Sequence, residues 1–392
     1  DLVSLLMDEL MAHPIMLVCV YRPEQVHNVY RLSNTAQRKC LDRYRKIELT
    51  KLSSGESRRL VSELLAIDNL PDSVRDMILS KSEGNPFFIE EVIRSLMERG
   101  LVYKANDRWV ADDNIIEVQV PDTIQSIVLE RVDRLEAEAK YILQCASVIG
   151  RLFKYNLLDH ITQKQKELDK YLDEFERRDL AYPERTVPEM EYAFKHALTQ
   201  EATYQGILEQ RKMAFHRNVA LGIEKLYKER IEDFYEELAH HWERSKDKEK
   251  TLEYLVKVGQ KASKNYLNDT AVEYYTRAIE LAKELAMTGD RLAEIYHYRG
   301  SLYNTIMFYE ESVSDLIDAL SFYTNQPKRA SVCALLSRIY WADVYDIEES
   351  VLYARKALSE IDPMSKSHET AEVYSNAARI FINVVDQEEG IR

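Results

Sequence analysis

The sequence predicts a mainly α protein that opens with a short α/β segment and closes in a long array of paired helices. Three observations lead there. Glycine and proline number only 10 and 9 in 392 residues, which favours long helices over a turn-rich β protein. Apolar residues recur at spacings of three and four along most of the chain, the period of helices with one buried face. Beyond residue 196, small residues return at fixed places in successive helix pairs, as in a solenoid.

The length allows several domains with sizeable cores. Charged residues make up 31% and apolar ones 45%, and no apolar run approaches the roughly 18 residues of a membrane span. A soluble, cytoplasmic protein is expected. Residue 1 falls in mid-pattern without a signal sequence, so the chain reads as a piece of a longer one. Cys19, Cys40, Cys145 and Cys333 are scattered, all but Cys40 in apolar surroundings, and read as reduced thiols. A net charge of −14 argues against a polyanionic partner, because phosphate binding needs a basic face.

Residues 1–48 carry the α/β character. An amphipathic stretch (Leu2, Leu5, Leu6, Leu10) precedes a continuous apolar run, Ile15 to Tyr21, bounded by Arg22-Pro23. Such a run suits a buried parallel strand. A helix over 34–44 follows, then Lys46 to Leu49 as an edge strand. Residues 49–120 turn helical: one helix opens at Gly55-Glu56, a second at Pro71, a third after Gly84. The third reads EGNPFFIEEVIRSLMERG from Glu83 to Gly100. Gly84 permits a positive φ, Pro86 suits a first helical turn, and Phe87, Phe88, Val92, Ile93, Leu96 and Met97 form the apolar stripe. Taken alone this is a core helix. A short hairpin, Leu101-Val102-Tyr103 against Trp109-Val110, closes the block.

In residues 121–196, helices over 121–135, 136–149 and 164–178 precede a hairpin of 180–182 with 190–194, a winged-helix pattern. DNA-binding winged helices insert the third helix in the groove, so its charge is informative. From Gln163 to Asp179 five basic residues (Lys164, Lys166, Lys170, Arg177, Arg178) face six acidic ones (Glu167, Asp169, Asp173, Glu174, Glu176, Asp179). That balance disfavours DNA and suits packing on protein.

Residues 197–392 repeat. With Gly259 as anchor, Leu255, Gly259, Ala262, Ala271, Tyr275 and Ala278 occupy the places of the small and aromatic residues of a tetratricopeptide repeat. Tyr296, Gly300, Tyr303, Leu316 and Ala319 do so again, with Ser312 at a place where alanine is usual. Ser337, Tyr340, Ser350, Ala354 and Ala357 make a third unit with one residue inserted in its turn. His240-His241 beside Trp242 has no spaced third ligand and reads as packing in this array, not as a metal site.

With the order complete, the chain resembles the signal-transduction ATPases with numerous domains (STAND) of the AAA+-like P-loop class. More narrowly, it is similar to bacterial predicted ATPases associated with adenylate or guanylate cyclase, kinase or LuxR-type output domains. The carrying segments are Tyr21 to Glu24, Glu83 to Gly100, VPDTIQSIVLERVDRL (120–135), AKYILQCASVIGRLF (139–153) and FKHALTQEATYQGIL (194–208). The resemblance implies the C-terminal remnant of an NTPase core (1–48), a helical lid (49–120), a winged helix (121–196) and a tetratricopeptide-like array (197–392). No Walker A motif, with its phosphate-cradling glycines and lysine, stands in the chain.

It also implies cofactor-binding roles. Arg22 matches the sensor arginine that approaches the γ-phosphate, and Gly84 with Pro86 matches the element whose proline packs on adenine. His196 matches a histidine set against the β-phosphate of ADP, although a packing histidine fits the same place. ATP or ADP with Mg is expected in the parent protein, with no tight binding or catalysis by this chain alone. A protein or peptide is the expected partner of the array, alongside an upstream NTPase core and output domain. The alternative is a nucleotide-independent scaffold or transcription-regulator module.

Overall fold

The computed structural model describes residues 6–7, 13–20, 27–40, 43–65, 70–105, 108–164, 167–362, 364 and 367–384. Its contacts divide the chain into two compact units, Asp1–Val120 and Pro121–Arg392. The molecule is mainly α, and among the described residues strands occur in one two-stranded and one three-stranded sheet.

In the first unit, α1 spans His27–Lys39, earlier than the 34–44 the sequence predicts. Helices α2 (Ser54–Leu65), α3 (Asp72–Ser82) and α4 (Pro86–Glu98) pack around Val61, Val74, Ile78, Phe88, Ile89, Val92 and Leu96, all buried. Strands β1 (Val102–Ala105) and β2 (Arg108–Ala111) form the expected hairpin, with Val102 opposite Ala111. The two strands expected before residue 50 are absent: residues 15–20 and 44–50 carry no strand pairing. Ile15, Met16, Val18, Val20, Ile47 and Leu49 are exposed. An apolar run becomes a strand only beside another strand, and the described residues offer it none. The Asp1 to Ala12 helix falls mostly outside the described residues.

The second unit begins with α5 (Ile124–Asp133), which Thr123 caps by accepting from the Ser126 amide. Next come α6 (Ala137–Ile149), β3 (Leu152–Lys154), α7 (Tyr155–Thr162), α8 (Leu168–Arg177), β4 (Ala181–Arg185) and β5 (Glu191–Phe194). Strand β5 lies between β3 and β4, antiparallel to both. The sequence reading omits β3 and α7, so the helices that accompany the sheet are α6, α7 and α8. Leu157, Leu158 and Ile161 anchor α7 in the core with Phe153, Phe175 and Phe194.

Helix α9 (Ala197–Gln205) packs on α5, α6 and β5, and the array of paired helices follows as α10 (Glu209–Leu226), α11 (Tyr235–Arg244), α12 (Lys248–Lys264), α13 (Asn268–Glu284), α14 (Asp290–Thr305), α15 (Tyr309–Phe322), α16 (Gln326–Ile339), α17 (Ile347–Ser359) and α18 (His368–Val384). Its small residues stand where helices cross. A Cβ on Gly259 would lie 2.6 Å from the Tyr275 ring, and one on Gly300 would lie 3.0 Å from Leu316 Cγ. The extra residue in the third unit is taken up by a π-helical turn, Tyr340–Val344, which absorbs one residue without breaking the helix.

Candidate functional site

The Gly84–Pro86 turn is built from backbone upward. Helix α3 ends on Glu83 in the left-handed region (φ 46°) and Gly84 follows at φ +76°. The Asn85 amide donates to the Ser82 carbonyl at 2.8 Å, and Asn85 Oδ1 accepts from the Phe87 amide at 3.0 Å, which caps α4 ahead of Pro86. Behind the turn, the Leu52 amide donates to the Gly84 carbonyl at 2.8 Å. A Cβ on Gly84 would drive into the Leu52 carbonyl oxygen, so close backbone approach as well as positive φ selects glycine here. At the rim, Lys51 Nζ pairs with Glu83 Oε2 at 2.8 Å and holds that exposed carboxyl below its usual range.

Gly84 is buried and Pro86 exposed. The turn therefore offers an apolar ring at its surface, and the amides of Asn85 and Phe87 are already spent. The turn itself supplies no nucleophile or proton carrier. One side chain departs from the pattern: Glu91, placed by the sequence on the polar face of α4, is buried, whereas Phe87 and Met97 are half-buried.

Of the other sequence-predicted residues, Arg22 lies outside the described residues. His196 belongs to the second unit, half-buried between β5 and α9, where its carbonyl accepts from the Thr199 amide at 3.0 Å. Gly84 and Pro86 share one turn of the first unit. Leu52, which fixes Gly84, is invisible to sequence reasoning because the contact spans 32 residues and runs through backbone atoms alone.

Two polar clusters in the second unit also escaped it. Tyr204 OH lies 3.0 Å from His216 Nε2, and His216 Nδ1 lies 2.8 Å from His241 Nδ1. Burial, aided by neighbouring positive groups, lowers His216 to about 3 and His241 well below its ordinary value. Both rings are neutral, and one Nδ1 donates to the other. Among the described residues no such group could hold a metal ion. The second cluster centres on Glu189. Its Oε1 accepts from Tyr227 OH at 2.7 Å and Asn156 Nδ2 at 3.2 Å, while Lys154 and Arg230 approach Oε2 at 3.4 and 3.6 Å. Lys154 Nζ also stands 4.5 Å over the stacked rings of Tyr227 and Phe234. This network ties the β4–β5 loop to the first helices of the array.

Comparison with known proteins bears on the fold. A STAND protein with a tetratricopeptide repeat sensor from Pyrococcus horikoshii aligns with 88% of this chain and 46% of its own, at a TM-score of 0.51 and 11% identity. This chain shares the fold of that STAND protein. BtubC (BKLC) from P. vanneervenii aligns with 47% of the chain and 77% of its own at a TM-score of 0.37 and 16% identity. A family model described as a domain of unknown function, DUF8739, matches residues 53–109, the segment that holds the Gly84 turn. In sequence, hybrid signal transduction histidine kinase G of Dictyostelium discoideum is 30% identical over 98 residues, which is 24% of this chain and 3% of the kinase. The chain spans less than half of the solved STAND protein and a small part of the kinase.

Proposed function

We infer that this chain is the regulatory and partner-sensing part of a multidomain STAND signalling ATPase. What carries the reading is the Gly84–Pro86 turn, set in a chain that follows the fold of a STAND protein over 88% of its length. In it, residues 49–120 act as a lid and 121–196 as a winged helix. ATP or ADP, with Mg, is held mainly by a P-loop core outside these residues. The exposed Pro86 ring beside the buried Gly84 fits the adenine side of a nucleotide; the turn's spent amides do not fit the phosphates. Arg22 is assigned the sensing of the γ-phosphate, and His196, separately, the β-phosphate of ADP.

The array, residues 197–392, binds a protein or peptide, and its occupancy shifts the balance of nucleotide states; by linkage, nucleotide state shifts its affinity in return. The output is of the nucleotide-cyclase, kinase or transcription-regulator kind. The pure 392-residue chain is expected to turn over no ATP. In a protein that includes the P-loop core, Arg22→Ala impairs the response to ATP more than the binding of ADP. ATP turnover by the pure chain, or an unchanged ATP response in Arg22→Ala, would overturn the respective assignment. A nucleotide-independent scaffold is the competing reading, favoured by the lack of a phosphate-cradling motif; it requires partner affinity to be the same with and without ADP.

A further inference from the structure

Three equivalent turns of the array, one in each of three consecutive helix pairs, place large apolar side chains in water. Tyr266, Met307 and Tyr345 are 86%, 73% and 81% exposed, and their neighbours Leu267, Phe308 and Ile347 are each more than half exposed. Tyr266, Met307 and Tyr345 occupy the same structural place, the turn between the first and second helix of a unit; Leu267 and Phe308 share that turn, and Ile347 opens α17. Tyr266, Met307 and Tyr345 also adopt left-handed backbone conformations, with φ of 58°, 65° and 62°. Glycine or asparagine is the easy choice there, and other residues adopt that conformation at a cost. Neither backbone ease nor burial accounts for tyrosine and methionine at these places. Lone exposed apolar residues need no explanation, but a repeated row of them marks a contact surface.

The row recurs at the same place in three consecutive helix pairs. It is also flanked by negative charge. Glu310, Glu311 and Glu348 are exposed beside it, with Asp343 and Glu349 half-buried. Carboxylates at helix starts answer the helix dipole, yet only Lys264 offsets them along the three turns. An acidic border on an apolar row selects a partner with the opposite arrangement.

We propose that this edge of the array, from Tyr266 to Ile347, docks a basic amphipathic helix of a partner protein. Its apolar face covers Tyr266, Met307, Phe308 and Tyr345, and its lysines or arginines meet the flanking carboxylates. The inference rests on the protein-binding half of the reading above and not on its nucleotide half: loss of nucleotide coupling would leave the docking result standing.

The test is titration of the full chain into a fluorescent Leu/Lys amphipathic helix of about 18 residues, with a Leu/Glu peptide of the same pattern as control. The Leu/Lys peptide should bind, the control should not, and affinity should fall between about 50 and 500 mM salt. Phe308→Ser with Tyr345→Ser should weaken binding about tenfold while leaving thermal unfolding unchanged. Glu310→Lys with Glu311→Lys should also weaken it and flatten the salt dependence. No binding by the parent chain, equal binding of both peptides, or equal affinity in both variants would overturn the proposal. So would sedimentation showing a dimer that the Phe308→Ser, Tyr345→Ser chain cannot form, which would make a second copy the occupant.

Discussion

Ser337 and Ser350 exchange hydrogen bonds across the last helical pair of the array: Ser337 Oγ donates to the Ser350 carbonyl at 2.8 Å, and Ser350 Oγ donates to the Ser337 carbonyl at 2.9 Å. Both residues are buried. One unit earlier Ser312 Oγ donates to the Gly300 carbonyl at 2.8 Å from the corresponding place. Ser312 and Ser350, at the place of Ala271, and Ser337, at the place of Gly259 and Gly300, thus substitute a hydrogen bond for bare close packing.

A double-mutant cycle should expose that relationship. Ser337→Ala and Ser350→Ala alone each lose about 1 kcal/mol in urea unfolding, because each removes one buried bond. If the two bonds support one another, the double variant should lose clearly less than the sum. Strict additivity would mean that the two hydroxyls act independently.

Gly84 and Gly100 share a positive φ, +76° and +70°, but only Gly84 has the Leu52 carbonyl where a Cβ would sit. Gly100→Ala therefore should cost about 1 kcal/mol for conformation alone. Gly84→Ala should cost clearly more and open the first unit to limited proteolysis near Leu52. Equal losses would show that the Leu52 contact yields freely.

What the sequence made legible follows from what is local. The α4 start was readable because Gly84 and Pro86 constrain their own backbone, and the array because a small residue is demanded wherever two helices cross. The strands expected at Ile15 to Tyr21 and Lys46 to Leu49 failed for the opposite reason: a strand is a property of a pair, and an apolar run cannot name its neighbour. Helix α7 was missed because its eight residues give barely two turns of periodicity. Leu52 behind Gly84, and Tyr227 on Glu189, are tertiary contacts with no periodic trace.

Arg299 and Asp315 form a forked pair, Nε to Oδ2 at 2.7 Å and Nη2 to Oδ1 at 2.8 Å, while Nη1 reaches Thr276 Oγ1 at 2.9 Å. The Asp315 side chain is 6% exposed. Asp315→Asn should destabilise the array by about 3 kcal/mol, since it leaves a largely buried guanidinium without its counter-charge. Glu284→Gln, which breaks the exposed pair with Lys248, should change stability by less than about 0.5 kcal/mol. Similar losses for the two would mean that Arg299 finds water instead.

The His216–His241 pair sets a dependence on pH whose sign is fixed by burial. His216 faces Tyr204, His240, His241, Lys212 and Arg244, and His241 has Glu237 3.9 Å from its Nε2. Burial raises the Glu237 carboxyl, so that group supplies weak counter-charge in acid. Both imidazoles stay neutral in the fold, whereas the unfolded chain takes up protons near 6.5. The stability this pair supports is therefore complete above about pH 6.5 and erodes as pH falls toward the lowered value of His216, about 3. Each histidine contributes a slope of up to about 1.4 kcal/mol per pH unit. Carboxylates titrate over part of that range, so the comparison must be between chains. Between pH 7.5 and 5, His216→Gln should lose about 2 kcal/mol less than the parent in urea unfolding. Parallel losses would show that His216 is protonated in the folded state already, against the burial that lowers it.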